Sequence, residues 1–100
     1  MEEITIENTI IVYGHKLWPG CTVAKEFLLQ HNVKFAYIDI TENMTALKAF
    51  INYRESRPEF KTVKERGGLG IPCIVVNNGE KIIVEDDLEQ LAELCRQYGK

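Results

Sequence analysis

The cysteine at position 21 is the residue of this chain best placed to do chemistry. It follows Trp18-Pro19-Gly20, at the point where an apolar run gives way to a helical pattern. A helix N-terminus carries about half of an elementary positive charge, which favours a thiolate over a thiol. The thiolate is the form that attacks disulfides. The alternative is that Cys21 is a small buried apolar residue, because free cysteine is among the most buried residue types.

Position 18 is where a C-x-x-C redox pair would place its attacking sulfur, and it holds Trp18. Three explanations are open. The tryptophan is a natural loss of the nucleophile, an engineered or recoded residue in place of cysteine or selenocysteine, or an aromatic platform for a ligand. In every case a dithiol cycle between residues 18 and 21 is impossible in this chain.

Two further cysteines, Cys73 and Cys95, lie far along the chain. Cys73 follows Pro72 and is either a second thiol that approaches Cys21 or a core residue of a strand. Cys95 lies on the apolar face of the last predicted helix, where we expect a structural role. Three cysteines at unrelated spacings form neither a disulfide framework nor a zinc site with short paired spacings. We therefore expect no metal site and no permanently bound cofactor.

Composition limits the class of protein. One hundred residues with 45% hydrophobic content predict one domain over residues 1–100, able to bury roughly two thirds of its unfolded surface. The net charge of −3 argues against nucleic-acid or membrane-surface partners, which require a basic patch. No apolar run approaches the ~20 residues of a membrane span, and the start Met1-Glu2-Glu3 lacks the basic region of a secretion signal. We expect a cytoplasmic monomer.

The pattern of apolar residues predicts the elements that position these side chains. Residues 9–13 form a continuous β-branched run, typical of a strand buried on both faces. Alternation predicts a strand over residues 35–40, and Pro72 introduces another over 70–76, joined by a turn at Asn77-Asn78-Gly79 to residues 81–84. Helices are predicted from Pro19, over about 44–53, after Pro58 and after a cap at Asp86 or Asp87. The order is β-α-β-α-β-β-α, an α/β fold. Residues 1–7 are predicted to be a frayed start or an extra edge strand.

This order resembles the thioredoxin fold and, more specifically, the glutaredoxin family. Cys21-Thr22-Val23-Ala24-Lys25 is similar to the end of that family's C-P-x-C-x-x-A-K motif, and residues 33–40 are similar to its second strand. Residues 56–60 with 70–73 resemble a bacterial branch of glutaredoxin-related proteins. The resemblance covers about residues 9–94. It implies a thioredoxin-like fold with a central four-stranded mixed sheet.

The resemblance also assigns roles to individual residues. Trp18 stands where the family has its nucleophile, and Cys21 corresponds to the second, sheltered sulfur. Pro72 corresponds to a cis proline, and Ile71 before it would offer its backbone N–H and C=O to an extended thiol peptide.

Charged residues near these positions correspond to binding residues of the family. His15 and Lys16 would stabilise a thiolate or a glutathione carboxylate, or form an ordinary loop pair. Asp86 and Asp87, in a segment where the family has Gly-Gly-x-Asp, would receive the amino group of glutathione or simply cap a helix. Three basic residues of the middle helices would recognise a carboxylate or form a solvated face: Arg54, Arg57 and Lys61.

We therefore expect a glutaredoxin-like thiol–disulfide oxidoreductase of cell redox homeostasis, with activity impaired by Trp18. Glutathione would be its co-substrate, and its partners would be small thiols or disulfide-containing proteins. The alternative is a non-catalytic module that binds a peptide or glutathione through a groove at Ile71-Pro72.

Overall fold

The computed structural model describes residues 8–99, and the strand or frayed start predicted over residues 1–7 lies outside them. Within the described range the strands are β1 (Ile10–Gly14), β2 (Ala36–Asp39), β3 (Cys73–Val76) and β4 (Lys81–Val84). They form one sheet in the order β2-β1-β3-β4. β1 runs parallel to β2 and antiparallel to β3, which is antiparallel to β4. The predicted four-stranded mixed sheet is confirmed.

The helices are α1 (Pro19–Gln30), α2 (Met44–Ser56), α3 (Lys61–Glu65) and α4 (Leu88–Tyr98), with a 3₁₀ turn at Pro58–Phe60. α1 begins at a proline, whose missing N–H would have no partner in the first turn. α2 and α4 begin with side-chain caps: Asn43 accepts a hydrogen bond from the Ala46 N–H at 2.9 Å, and Asp87 from the Gln90 N–H at 3.2 Å. No helix in this part of the chain is both long and apolar enough to cross a membrane.

Alternation along the strands divides the core between the two faces of the sheet. α1 and α4 cover the first face, where Leu28 and Leu91 pack in one cluster with Val12, Ile74 and Ile83. Cys21 of α1 instead packs with the core of the second face. α2 and the 3₁₀ turn cover the second face, where Phe50 and Phe60 meet edge to face at 6.0 Å between ring centroids. The sheet is thus enclosed on both sides, as the apolar β1 predicted.

The segment before β3 differs from its prediction. The ladder begins at Cys73 rather than at residue 70, because Pro72 has no N–H to donate and the chain turns ahead of it with positive φ at Gly67 and Gly70. The turn predicted between β3 and β4 is confirmed, with positive φ at Asn77, Asn78 and Gly79.

Candidate active site

The loop from β1 to α1 places residue 18 at the surface. Trp18 directly precedes the helix, and 43% of its surface is exposed. Its N–H donates to the His15 carbonyl at 3.0 Å, and its carbonyl accepts from the Cys21 N–H at 3.0 Å. Position 18 is therefore an exposed site at the N-terminus of a 12-residue helix, with Cys21 in the turn that follows.

Cys21 has no exposed surface. Its Sγ accepts a hydrogen bond from the His15 backbone N–H at 3.5 Å. A methyl group on Gly14 would lie 2.9 Å from this sulfur and 2.8 Å from the Tyr37 hydroxyl oxygen. Glycine at position 14 thus lets the sulfur and the hydroxyl both approach the end of β1 closely.

Burial is the largest influence on the Cys21 thiol, and it raises the pKa above the ordinary value. Hydrogen bonds from the His15 N–H and the Tyr37 hydroxyl lower the pKa, whereas the negative charges of Asp86 and Asp39 raise it. The net direction is upward. The surroundings of this sulfur are those of a sheltered thiol, and the reactivity of Cys21 stays a prediction.

Pro72 and Asp86 meet the start of α1. The Ile71–Pro72 peptide bond is cis, and both residues are buried. A Cβ atom added to Gly20 would lie 3.1 Å from the Asp86 carboxylate and 3.5 Å from the Pro72 ring. Gly20 follows Pro19 in the first turn of α1, so the structure brings position 18, Cys21, Pro72 and Asp86 into one region.

Glu85 is a residue of this region that sequence reasoning missed. Its φ is +68°, although it is not a glycine, and its N–H donates to the Pro72 carbonyl at 2.7 Å. Its carboxylate forms an ion pair with Arg66. Nothing in the sequence indicates this, since glutamate is not among the residues that favour positive φ. Val84, next to it, is in β4, where it pairs with Cys73.

The charged residues predicted to bind glutathione have partners within the protein. Asp87 caps α4, as the capping alternative predicted. His15 Nδ1 accepts from the Leu17 N–H at 3.0 Å, and Lys16 lies 3.6 Å from Glu42. Their binding roles, like that of Asp86, stay predictions.

Arg54 and Arg57 also bond to the protein itself. The Arg54 guanidinium donates to the carbonyls of Gly68 and Leu69 at 2.7 and 2.9 Å. Arg57 donates to the Gly79 carbonyl at 2.7 Å. Both arginines thus hold loops in place, and the carboxylate recognition suggested for them and for the exposed Lys61 stays a prediction.

All three cysteines are free thiols and buried. Cys73 pairs with Tyr13 across the sheet, and burial raises its pKa to about 12, with a smaller contribution from Glu59. Cys95 packs in the core of the first face, which agrees with a structural role. The role of Cys73 as a second thiol that approaches Cys21 stays a prediction.

The sheet order, the flanking helices and the cysteine at the start of α1 together define a thioredoxin-like fold. Solved structures share it. A glutaredoxin from Methanosarcina mazei Go1 is 22% identical, with 87% of this chain and 77% of that chain covered and a TM-score of 0.65. A thioredoxin-like protein is 22% identical, with 86% of this chain and 99% of that chain covered and a TM-score of 0.59.

The glutaredoxin family model matches residues 10–82, and this chain belongs to the glutaredoxin family. The family is one of thiol oxidoreductase-like proteins. An uncharacterized protein of Haemophilus influenzae is 36% identical over 59 residues, which are 59% of this chain. The match spans 65% of that relative's length.

Proposed function

We propose that this protein has the framework of a glutaredoxin-type thiol–disulfide oxidoreductase, with position 18 as the nucleophile position and Cys21 as the resolving thiol. The observation that carries the proposal is the contrast between these two positions. Position 18 is exposed at the start of α1, and Cys21 is enclosed one turn later. An exposed attacking group followed by a sheltered one is the arrangement that a two-step exchange needs.

In such an exchange, a thiolate at position 18 attacks a substrate disulfide, forms a mixed disulfide and releases one substrate thiolate. Cys21, after losing its proton, then attacks the sulfur at position 18 and releases the second substrate thiolate. The helix N-terminus would stabilise a thiolate at position 18. With Trp18 the first step has no nucleophile, so we infer that the chain as written is impaired.

Glutathione is the co-substrate that we propose, and the protein would act in cytoplasmic redox homeostasis on small thiols or disulfide-containing proteins. Its amino group is cationic, and the Asp86 carboxylate beside Gly20 supplies the complementary charge. Its carboxylates are anionic, and Lys16 is an exposed cation in the loop that leads to position 18.

A second candidate function is a non-catalytic module that binds a peptide near Ile71-Pro72. It is favoured by large apolar side chains in the segments around Pro72: Leu17, Trp18, Leu69 and Leu88 are 79, 43, 40 and 54% exposed. A contiguous exposed apolar patch is a feature of interaction sites, and we propose that these side chains form one around Pro72.

The decisive experiment restores a thiol by Trp18→Cys and measures glutathione-dependent reduction of a small disulfide. Trp18→Ser is the matched control, because it also removes the indole but supplies no sulfur. We expect activity in Trp18→Cys alone. Equal inactivity of both variants would reject the oxidoreductase proposal, and peptide binding by the unaltered chain would then support the second candidate. Sequencing codon 18 of the native gene separates a natural tryptophan from a recoded or engineered one.

A further inference from the structure

A tyrosine on β2 reaches the sulfur of Cys21 across the end of the sheet. Tyr37 pairs with Val12 in the parallel ladder, so its side chain lies on the face that α1 covers. Its hydroxyl oxygen and the Cys21 Sγ both lie within 3 Å of the point where a Cβ atom of residue 14 would be. The two atoms therefore lie close together, and an interaction with the hydroxyl lowers the pKa of the thiol.

The ring of Tyr37 is itself held by α1. The Lys25 ammonium nitrogen lies 4.9 Å from the ring centroid, within the range of a cation–π interaction. Lys25 is one turn beyond Cys21 on the same helix. α1 thus supplies both the Cys21 sulfur and the Lys25 cation that holds the Tyr37 ring close to this helix.

We propose that Tyr37 is a positioning residue for Cys21, and that its hydroxyl donates a hydrogen bond to the sulfur when Cys21 becomes a thiolate. This inference rests on the resolving role proposed above for Cys21. A buried thiolate has lost its hydration, so each donor aimed at it has a large effect. The His15 N–H donates to this sulfur, and the Tyr37 hydroxyl lies close to it, where it can act as a second donor.

The chemical consequence concerns the second step of exchange. Cys21 must lose a proton before it can attack the sulfur at position 18, and Tyr37 would stabilise the thiolate that forms. No proton need pass to Tyr37, since its hydroxyl keeps its own proton while donating the bond. The pKa values of both groups agree with this proximity. The hydroxyl of Tyr37 lowers the pKa of the Cys21 thiol. The pKa of Tyr37 is raised to about 12, first by burial and then by Cys21.

Other charged groups face this pair and must stay constant in a test. They are His15 in the loop, Lys25 on α1, Asp39 on β2 and Asp86 ahead of α4. Tyr37→Phe alters none of them and removes one oxygen atom. The matched control is Tyr53→Phe, because Tyr53 packs against Tyr13 and is not among the groups that shift the pKa of Cys21.

The first measurement uses the chain with Trp18 and follows alkylation of Cys21 by peptide mass spectrometry from pH 7 to pH 11. We expect Tyr37→Phe to shift the midpoint to higher pH, with alkylation about tenfold slower at neutral pH, and Tyr53→Phe to leave the midpoint in place. Reciprocally, Cys21→Ala should lower the ultraviolet titration midpoint of Tyr37. Equal profiles for Tyr37→Phe and Tyr53→Phe would overturn the proposal, because a purely structural role moves neither midpoint.

The second measurement uses the Trp18→Cys background and follows release of glutathione from its preformed mixed disulfide. Tyr37→Phe should slow this release about tenfold at neutral pH and much less at high pH. If Trp18→Cys does not reduce disulfides at all, the proposed function fails, while the alkylation profile still tests the Tyr37–Cys21 contact. If release is equally fast with and without the hydroxyl, Tyr37 has no role in this step.

Discussion

Gly70→Ala tests how the loop before Pro72 is built. Gly70 has a φ of +96°, a conformation that costs an L-residue roughly 1–2 kcal/mol. The added methyl carbon would also lie 2.8 and 2.9 Å from two ring carbons of Phe60. Phe60 has no exposed surface, so its ring has little room to move, and overpacking of this kind costs about 1–3 kcal/mol.

The two penalties together predict a loss of about 2–5 kcal/mol in the free energy of unfolding. For a domain of this size, each kcal/mol lowers the melting temperature by about 4–8 °C. Urea unfolding followed by circular dichroism measures the loss directly, provided that the slope with denaturant is unchanged.

Gly67→Ala is the matched control for this substitution. Its φ is +74°, but no heavy atom lies within 4 Å of the added methyl group. It should therefore cost only the backbone penalty of about 1–2 kcal/mol. If both substitutions lower the free energy of unfolding equally, Phe60 does not pack closely against Gly70 and the reasoning is refuted. A Phe60→Leu background should reduce the excess cost of Gly70→Ala, because it removes the ring carbons that clash.

Two further predictions concern the same half of the molecule. Because the pKa of Cys73 is raised from 9.0 to about 12 in the folded state, its contribution to stability is complete below pH ~9 and is lost as pH rises toward ~12. Urea unfolding at pH 8 and pH 11 should show this loss, and Cys73→Val should make it smaller; an equal loss in the variant would contradict the assignment. Arg54→Lys keeps the positive charge but loses the guanidinium group that donates to the carbonyls of Gly68 and Leu69. It should lower the free energy of unfolding by about 1–3 kcal/mol. Arg96→Lys, on the surface of α4, should cost much less, and equal costs would show that the Arg54 bonds do not stabilise the loop.

The order of elements could be predicted from the sequence because it depends on local properties. β-branched runs, alternation and helical spacing each report the surroundings of a few consecutive residues. The start of α1 at Pro19, a cap at Asp86 or Asp87 and the turn at Asn77–Gly79 were predicted for the same reason, and the structure has the cap at Asp87. Each of these motifs consists of a few consecutive residues and does not depend on the rest of the chain.

The start of β3 and the roles of the arginines could not be predicted in this way. Arg54 looked like a ligand-binding or solvated cation, yet it bonds to carbonyls 14 and 15 residues away. Glu85 adopts a positive φ, and its side chain pairs with Arg66, 19 residues earlier. These contacts depend on where a loop meets a helix from elsewhere in the chain.

Cys21 shows the division most clearly. The sequence by itself determined that this cysteine lies at a helix N-terminus, one turn after a position with no thiol. Only the tertiary structure decided that its sulfur is enclosed, because the enclosure is formed by Gly14 from β1 and Tyr37 from β2. The helix terminus and the burial act on the thiol in opposite directions. The effect of the helix terminus can be recognised in a short segment of sequence. The effect of burial is larger, and it arises only when the strands and the helix are packed together.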